Sequence, residues 1–353
     1  MSTEQNTSSS GHRDVLSVEG LKAYYQTNYF GVEREVRAVD DITLQIRDDE
    51  VYGIAGESSS GKTTLIKTFA HAIRPPLRIV GGSMTYRFGD QTVDPYAISK
   101  DEMDALRWKH ISYIMQGSMS VLNPVRRIKK SFIDFAFRHM GLSPSDFWDA
   151  VEAHLKLLYL PPDVLSAYPH ELSGGMRQRV TIALATVCQP EFIIADEPTT
   201  ALDVVVQKDV LAMLDDIRKK LSSSVVFVTH DMSVHANMAD RIGIMYAGRI
   251  VEEGPTEVLF TEPKHPYTAH LVGSLPRIGD TERKPALGGR PPNLSDPPTG
   301  CRFHPRCPLA IEKCKTEVPP METVGESHRS ACWRAADVQP LTTFPGAKRG
   351  ESA

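Results

Sequence analysis

Gly56-Glu57-Ser58-Ser59-Ser60-Gly61-Lys62-Thr63 sets two glycines, a lysine and a hydroxyl at the spacing of a loop that cradles phosphate. Successive backbone N–H groups in such a loop form a concave anion site, and the N-terminus of a following helix adds partial positive charge. Lys62 is placed to reach β- and γ-phosphates and the Thr63 hydroxyl to ligate Mg²⁺, with Thr64 next in line. A second segment, Phe192 to Glu197, runs four apolar residues into two adjacent acids. Asp196 suits the shell of a Mg²⁺ ion, and Glu197 suits the polarisation of an attacking water. His230 follows the apolar run Val225 to Thr229, where an imidazole can touch a γ-phosphate. Leu172-Ser173-Gly174-Gly175 precedes Val180, Ala183, Leu184 and Val187 at helical spacing, so a second helix N-terminus offers its N–H groups. The chemistry these residues share is the binding and splitting of ATP.

Such groups need strands that end where the ligand lies. Val51 to Ala55 reads as a short buried strand before the loop, and Lys62 to Ile73 as the helix behind it, ended by Pro75-Pro76. The Phe192 and Val225 runs fit parallel strands, whose carboxyl ends are where open α/β sheets hold ligands. Leu16 to about Phe88 should hold an antiparallel β-section together with the loop. Between about Asp90 and His170 helical signals dominate. Phe147, Val151, Leu155 and Leu158 recur at helical spacing, which predicts an inserted helical subdomain. From Pro169 to Val251 strands and helices alternate. Val206, Val210, Leu214, Ile217 and Leu221 mark one amphipathic helix, and Ile242 to Val251 reads as a hairpin around Ala247-Gly248.

The phosphate loop, Gln116, the Leu-Ser-Gly-Gly helix, the Asp-Glu strand, Ala201-Leu202-Asp203 and His230 together resemble the nucleotide-binding subunit of an ABC transporter. Within that superfamily the chain is similar to the ATP-binding subunits of oligopeptide and dipeptide importers, D-type. That match rests on Leu122-Asn123-Pro124, Tyr168-Pro169-His170-Glu171 before the Leu-Ser-Gly-Gly segment, His265-Pro266-Tyr267-Thr268 and Gly300-Cys301-Arg302-Phe303-His304-Pro305-Arg306-Cys307-Pro308. It runs from about Leu16 to about Trp333. The resemblance implies a head-to-tail dimer with ATP between the phosphate loop of one cassette and Ser173, Gly174 and Gly175 of the other. It also implies that Gln116 reaches Mg²⁺, that Asp203 lies in the loop crossing between cassettes, and that Tyr25, with Tyr24 as neighbour, stacks on adenine. Two departures stand out. Ser59 replaces a glycine usual in the loop, and Gly117-Ser118 replaces the usual Asp-Pro after Gln116.

The fold expected is thus an ABC-type α/β phosphate-loop domain over residues 14–262, with an antiparallel β-subdomain and a helical subdomain at about 90–170. A small irregular cysteine-bearing region follows at 263–340, between a Ser/Thr-rich start (1–13) and a flexible tail (341–353). Cys301, Cys307, Cys314 and Cys332 fall within that region but lack the C-x₂-C knuckles typical of structural zinc. A thiolate-bound [4Fe–4S] cluster, zinc, or reduced cysteines packed as small hydrophobes all fit the spacing. The resemblance favours the cluster, acting as a structural clip for a tail too irregular to fold alone. Cys188 reads as plain core.

The net charge of −4 gives no electrostatic argument for nucleic acid, and no apolar run approaches the length of a membrane span. The partners expected are two permease subunits, a second and non-identical ATPase, and indirectly an extracytoplasmic solute-binding protein. The place is the cytoplasmic face of the membrane and the cargo peptides, with oligosaccharides as the alternative. A soluble ABC ATPase and a redox-responsive iron–sulfur regulator are the rivals of another class. Neither the second cassette, coiled-coil insertion or basic surface of the first, nor an electron-transfer partner for the second, can be found in the sequence.

Overall fold

The computed structural model describes residues 13–117, 121–199, 204–275 and 287–339. Among the described residues twelve strands form two sheets. Strands β1 (Asp14–Tyr29), β2 (Val32–Arg47), β4 (Leu77–Phe88) and β5 (Gln91–Val93) make an antiparallel sheet in the order β2-β1-β4-β5. The main sheet takes β3 (Val51–Ala55), β6 (Ile111–Ile114), β7 (Phe192–Asp196), β8 (Ser224–Val228), β9 (Arg241–Tyr246), β10 (Arg249–Pro255), β11 (Glu322–Gly325) and β12 (His328–Ser330). Its order is β11-β12-β10-β9-β3-β8-β7-β6. The stretch from β9 through β3, β8 and β7 to β6 is parallel, and β10, β12 and β11 add on antiparallel.

The parallel strands are largely apolar because both faces are covered, with polar residues such as Asp196, Ser224 and Arg241 at their ends. In β3 every residue is buried: Val51 and Ala55 enter one core, and Tyr52 and Ile54 the other. The first core packs the sheet against Ile128, Phe132, Phe147, Val151, Leu155 and the helix Gly174–Thr186. The second packs it against the antiparallel sheet, through residues such as Leu16, Val39 and Met84. The expected amphipathic helix is present as Val204–Leu221, with Val210, Leu214 and Ile217 buried. The β9–β10 hairpin turns at Ala247 (φ 48°) and Gly248 (φ 86°), the paired positive angles of a tight two-residue turn.

Three expectations need correction. The helix behind the phosphate loop covers Lys62–Phe69, short of Ile73, because the chain turns away at His71 in the left-handed region. The segment 90–170 is not helical throughout. It opens with β5, the helix Lys100–Leu106 and β6, whose four residues Ile-Ser-Tyr-Ile pair with β7 in the main sheet, and the helical part begins at Ile128. Four residues are too few for a period to show. Finally, the cysteine-bearing region carries regular structure of its own. The β11–β12 hairpin extends the main sheet beyond β10, over two fully buried acids. Glu252 accepts from His328 Nε2 at 2.8 Å and from the backbone of Lys264 and His265, while Glu253 takes Arg241 at 2.5 Å, Arg329 and the Tyr52 hydroxyl at 3.0 Å. Buried charge is tolerated only when paired in this way, so the tail and the acids need one another.

Candidate active site

The phosphate loop leaves the carboxyl end of β3 at the centre of the main sheet, and two of its glycines are required by their surroundings. A Cβ on Gly56 would stand 2.2 Å from the Met245 carbonyl oxygen, and one on Gly61 2.0 Å from that of Ala38. Gly61 also has φ 107° and caps the helix Lys62–Phe69. Ser59 has φ 65°, so the departure noted in the sequence puts a Cβ where backbone and side chain crowd. Ser59→Gly should raise stability by about 1 kcal/mol, the left-handed penalty less the entropy of a glycine. Urea unfolding at equilibrium would read this, and no change or a loss would mean that the Ser59 side chain makes up for the strain.

Lys62 is buried, and its Nζ donates to the Gly56 and Glu57 carbonyl oxygens at 2.8 Å each. Burial lowers its pKa to about 8, against the opposing pull of Glu197, Asp196 and Glu57. The Thr63 hydroxyl donates to Asp196 Oδ1 at 3.3 Å. Asp196 is fully buried at the end of β7 with the Tyr113 hydroxyl beside it, and among the described residues its Oδ2 has no partner within hydrogen-bond distance. Burial, and then the charge of Glu197, raise its pKa. A buried carboxylate oxygen left open beside a hydroxyl is the chemistry of a hard-cation site, and these two groups fit Mg²⁺.

Glu197 follows at φ 49°, its N–H tied to the Val228 carbonyl at 2.9 Å. A non-glycine residue held in that region costs free energy and turns the side chain off the line of the strand. Its carboxylate accepts from Gln116 Nε2 at 3.0 Å, and His230 Nδ1 stands 3.7 Å away with that ring two-thirds exposed. The ends of β3, β6, β7 and β8 therefore bring Lys62, Thr63, Gln116, Asp196, Glu197 and His230 to one place.

Tyr25 is half-buried, its hydroxyl 3.2 Å from Thr64 Oγ1, while Tyr24 is buried and donates to Asp40. Ser173 is exposed and caps the helix Gly174–Thr186, accepting from Met176 N–H at 3.3 Å. Among the described residues no hydrogen bond joins Ser173, Gly174 or Gly175 to the phosphate loop. The same helix is fixed to the Asp-Glu segment by Gln178, which donates to the Pro198 carbonyl. Asp203 lies outside the described residues.

The sequence model of the ABC transporter family matches residues 39–200, and that of the oligopeptide/dipeptide transporter C-terminal region matches residues 251–314. The dipeptide transport ATP-binding protein DppD of Caldanaerobacter subterraneus subsp. tengcongensis is 38% identical over 331 residues, covering 93% of this chain and 99% of that protein. The oligopeptide transport ATP-binding protein OppD of Salmonella typhimurium is 36% identical over 327 residues, covering 92% and 94%. The chain belongs to the ATP-binding subunits of ABC transporters, in their oligopeptide/dipeptide branch. As such it is an ATPase that uses ATP and Mg²⁺ and couples hydrolysis to transport. Its fold is that of the cassette MJ0796, solved as a dimer in a post-hydrolysis state with ADP and Pi. The two share a TM-score of 0.58 and 24% identity over 68% of this chain and 98% of that one.

In this ABC subunit several site residues had no role assigned from sequence. The Tyr267 hydroxyl accepts from Glu57 N–H at 2.7 Å, and Arg306 forks onto the Glu57 carboxylate at 2.8 and 2.9 Å. Arg302 donates to Asp40 and to the Ala247 carbonyl, and Arg249 donates to Asp40 at 3.3 Å. The His-Pro-Tyr-Thr and Cys-Arg-Phe-His-Pro-Arg-Cys runs were visible as family markers. What they touch was not.

The four tail cysteines stand together: Cys332 feels the charges of Cys301, Cys307 and Cys314, and Cys301 N–H donates to the Cys314 carbonyl at 2.8 Å. Burial raises Cys301 to about 11 and Cys332 to about 12. Among the described residues, however, no three His, Cys, Asp or Glu side chains are gathered closely enough to hold a metal ion. Thiol donors of the right number are present, but a ready-made ligand cage is not. Cys188 packs against the main core, as expected. No helix among the described residues is long and apolar enough to cross a membrane.

Proposed function

We propose that this chain powers the import of peptides through a separate permease. The observation that carries the site is the meeting of Gln116, Glu197 and His230 beside Asp196, Thr63 and Lys62. The cargo class rests on the names of relatives that align over nearly the whole chain and on the C-terminal region they share. Lys62 and the N–H groups of Ser58, Ser59, Ser60, Gly61, Thr63 and Thr64 hold the β- and γ-phosphates. Tyr25 stacks on adenine. Glu197 takes a proton from the attacking water as its oxygen bonds to the γ-phosphorus, the bond to the bridging oxygen breaks, and ADP leaves. His230 donates to the γ-phosphate, and Gln116 reports its presence toward the permease. Asp196, Thr63 and Gln116 would hold Mg²⁺, which when bound would neutralise charge on the phosphoryl oxygens.

Ser173, Gly174 and Gly175 serve the ATP bound by a second, non-identical subunit in a head-to-tail dimer. The exposure of the Ser173 cap supports this, since a helix N-terminus open to solvent is free to meet phosphate from outside the chain. The dimer binds two permease subunits at the cytoplasmic face of the membrane, and a solute-binding protein delivers cargo from the other side. The exposed Val121 and Val125 after Gln116 are the surface for a permease helix. Cys301, Cys307, Cys314 and Cys332 would hold a [4Fe–4S] cluster, with zinc as the alternative, as a clip on the tail, once drawn closer together than they stand in the free chain. Iron, sulfide and zinc content of the purified chain tests this, and so does the protease resistance of the tail in Cys307→Ser and Cys314→Ser. A metal-free wild-type chain, or a tail left equally resistant, removes the clip.

Purification of the tagged chain from detergent-solubilised membranes tests the whole reading. It should bring two permease subunits and a second ATPase, and cells with Glu197→Gln should lose uptake of a labelled dipeptide. Recovery of soluble partners alone would overturn it.

A further inference from the structure

The phosphate loop is gripped from behind by the C-terminal region. The Arg306 side chain is 5% exposed and Glu57 26%, yet they form a two-pronged ion pair. Arg306 also donates from Nε to the Gly288 carbonyl at 3.0 Å and from Nη1 to the Tyr246 hydroxyl at 3.2 Å, with its guanidinium over the Tyr246 ring. Tyr246, Tyr267 and Phe303 stack edge-on or tilted, with ring centres 4.6 to 5.4 Å apart, so the turn that carries Arg306 is fixed by aromatic packing. Tyr267 holds the Glu57 N–H, and Gly248 N–H holds the Ser60 carbonyl at 2.8 Å. Glu57 is the residue whose carbonyl also receives Lys62. A shift of Glu57 therefore moves an acceptor of the lysine that meets phosphate.

We propose that Arg306 is a positioning residue for nucleotide binding: its fork on Glu57, with the Tyr267 hydroxyl, holds the phosphate loop in the shape that accepts ATP, so the docking of the C-terminal region sets ATP affinity. Bidentate arginine–carboxylate pairs fix geometry as well as charge, which lysine cannot reproduce. The inference rests on the ATPase reading of the loop. It does not involve the reacting atoms, since neither Arg306 nor Glu57 touches Glu197 or His230 among the described contacts.

The test is ATP titration of the full chain by calorimetry, with steady-state kinetics in parallel. Arg306→Ala should weaken ATP about tenfold and raise KM equally, leaving kcat at saturating ATP within about twofold. Arg306→Lys should recover part of the loss. Glu57→Ala should match Arg306→Ala, and the double variant should be no worse than either, the non-additivity of a shared interaction. Glu57 is the less buried of the pair, so its variant carries the test even if Arg306→Ala unfolds. Wild-type affinity in Glu57→Ala, or full additivity of the two changes, would overturn the proposal. Lys62→Ala separates this from the underlying reading: if that variant binds ATP normally, the loop is not the phosphate site and the failure lies there.

Discussion

Glu197→Gln should bind ATP as tightly as the wild type and hydrolyse it about a thousandfold more slowly, the usual weight of a general base. Glutamine keeps the volume of the side chain, so the Gln116 contact and the strained backbone at φ 49° persist. What it loses is the acceptor for the proton of water. His230, its ring 3.7 Å from the Glu197 carboxylate, should not replace it, since the proposed role commits that imidazole to the γ-phosphate. ATP that binds and is not split should accumulate a closed dimer with the partner ATPase. Phosphate release and the retention of labelled ATP on gel filtration would both be followed. Turnover near the wild-type rate would remove Glu197 as the base.

Lys62→Ala should cost at least about a hundredfold in ATP affinity, since two charge-assisted bonds of roughly 1.5 to 3 kcal/mol each are at stake. In the free chain the ammonium is already bound by two loop carbonyls at 2.8 Å, so its removal leaves these unpaired as well as stripping charge from the phosphate site. The same residue predicts a pH dependence. Burial has brought the Lys62 pKa down to about 8, so the free chain carries the charge below that pH and loses it above. ATP affinity should therefore hold at neutral pH and fall as pH rises through about 8, a trend that Lys62→Ala should abolish. Binding constants measured between pH 6.5 and 9.5 in both proteins would check it; an equal slope in the variant would assign the titration to another group.

The catalytic centre was legible because its parts are local. A phosphate loop needs its glycines and lysine within eight residues, and the acids of β7 and the histidine after β8 announce themselves at the ends of apolar runs. The parallel strands also read as buried without reference to their partners, but their order in the sheet rests on pairings that no apolar run announces. What could not be read was contact at long range between polar groups. Arg306 and Glu57 lie 249 positions apart, and neither residue type says that it will meet the other. The β11–β12 hairpin escaped for a related reason. Its strands, Glu-Thr-Val-Gly and His-Arg-Ser, are short and polar, and only the second pairs with β10, beside the buried acids, so no alternation of apolar and polar residues marks them. Ser59 was the opposite case. The departure from glycine was visible, and its left-handed backbone accounts for why it matters.

The order of the main sheet also bears on how the protein is made. β10 leaves the ribosome ending at Pro255, but β12, which covers its edge, begins only at His328. At roughly 5–20 residues per second, the intervening segment of about seventy residues takes several seconds to synthesise. During that interval the nascent cassette exposes an unpaired strand edge above two carboxylates awaiting His328 and Arg329, and its phosphate loop has yet to receive Arg306. Chaperone capture of ribosome-bound chains should therefore peak between the emergence of β10 and that of β12.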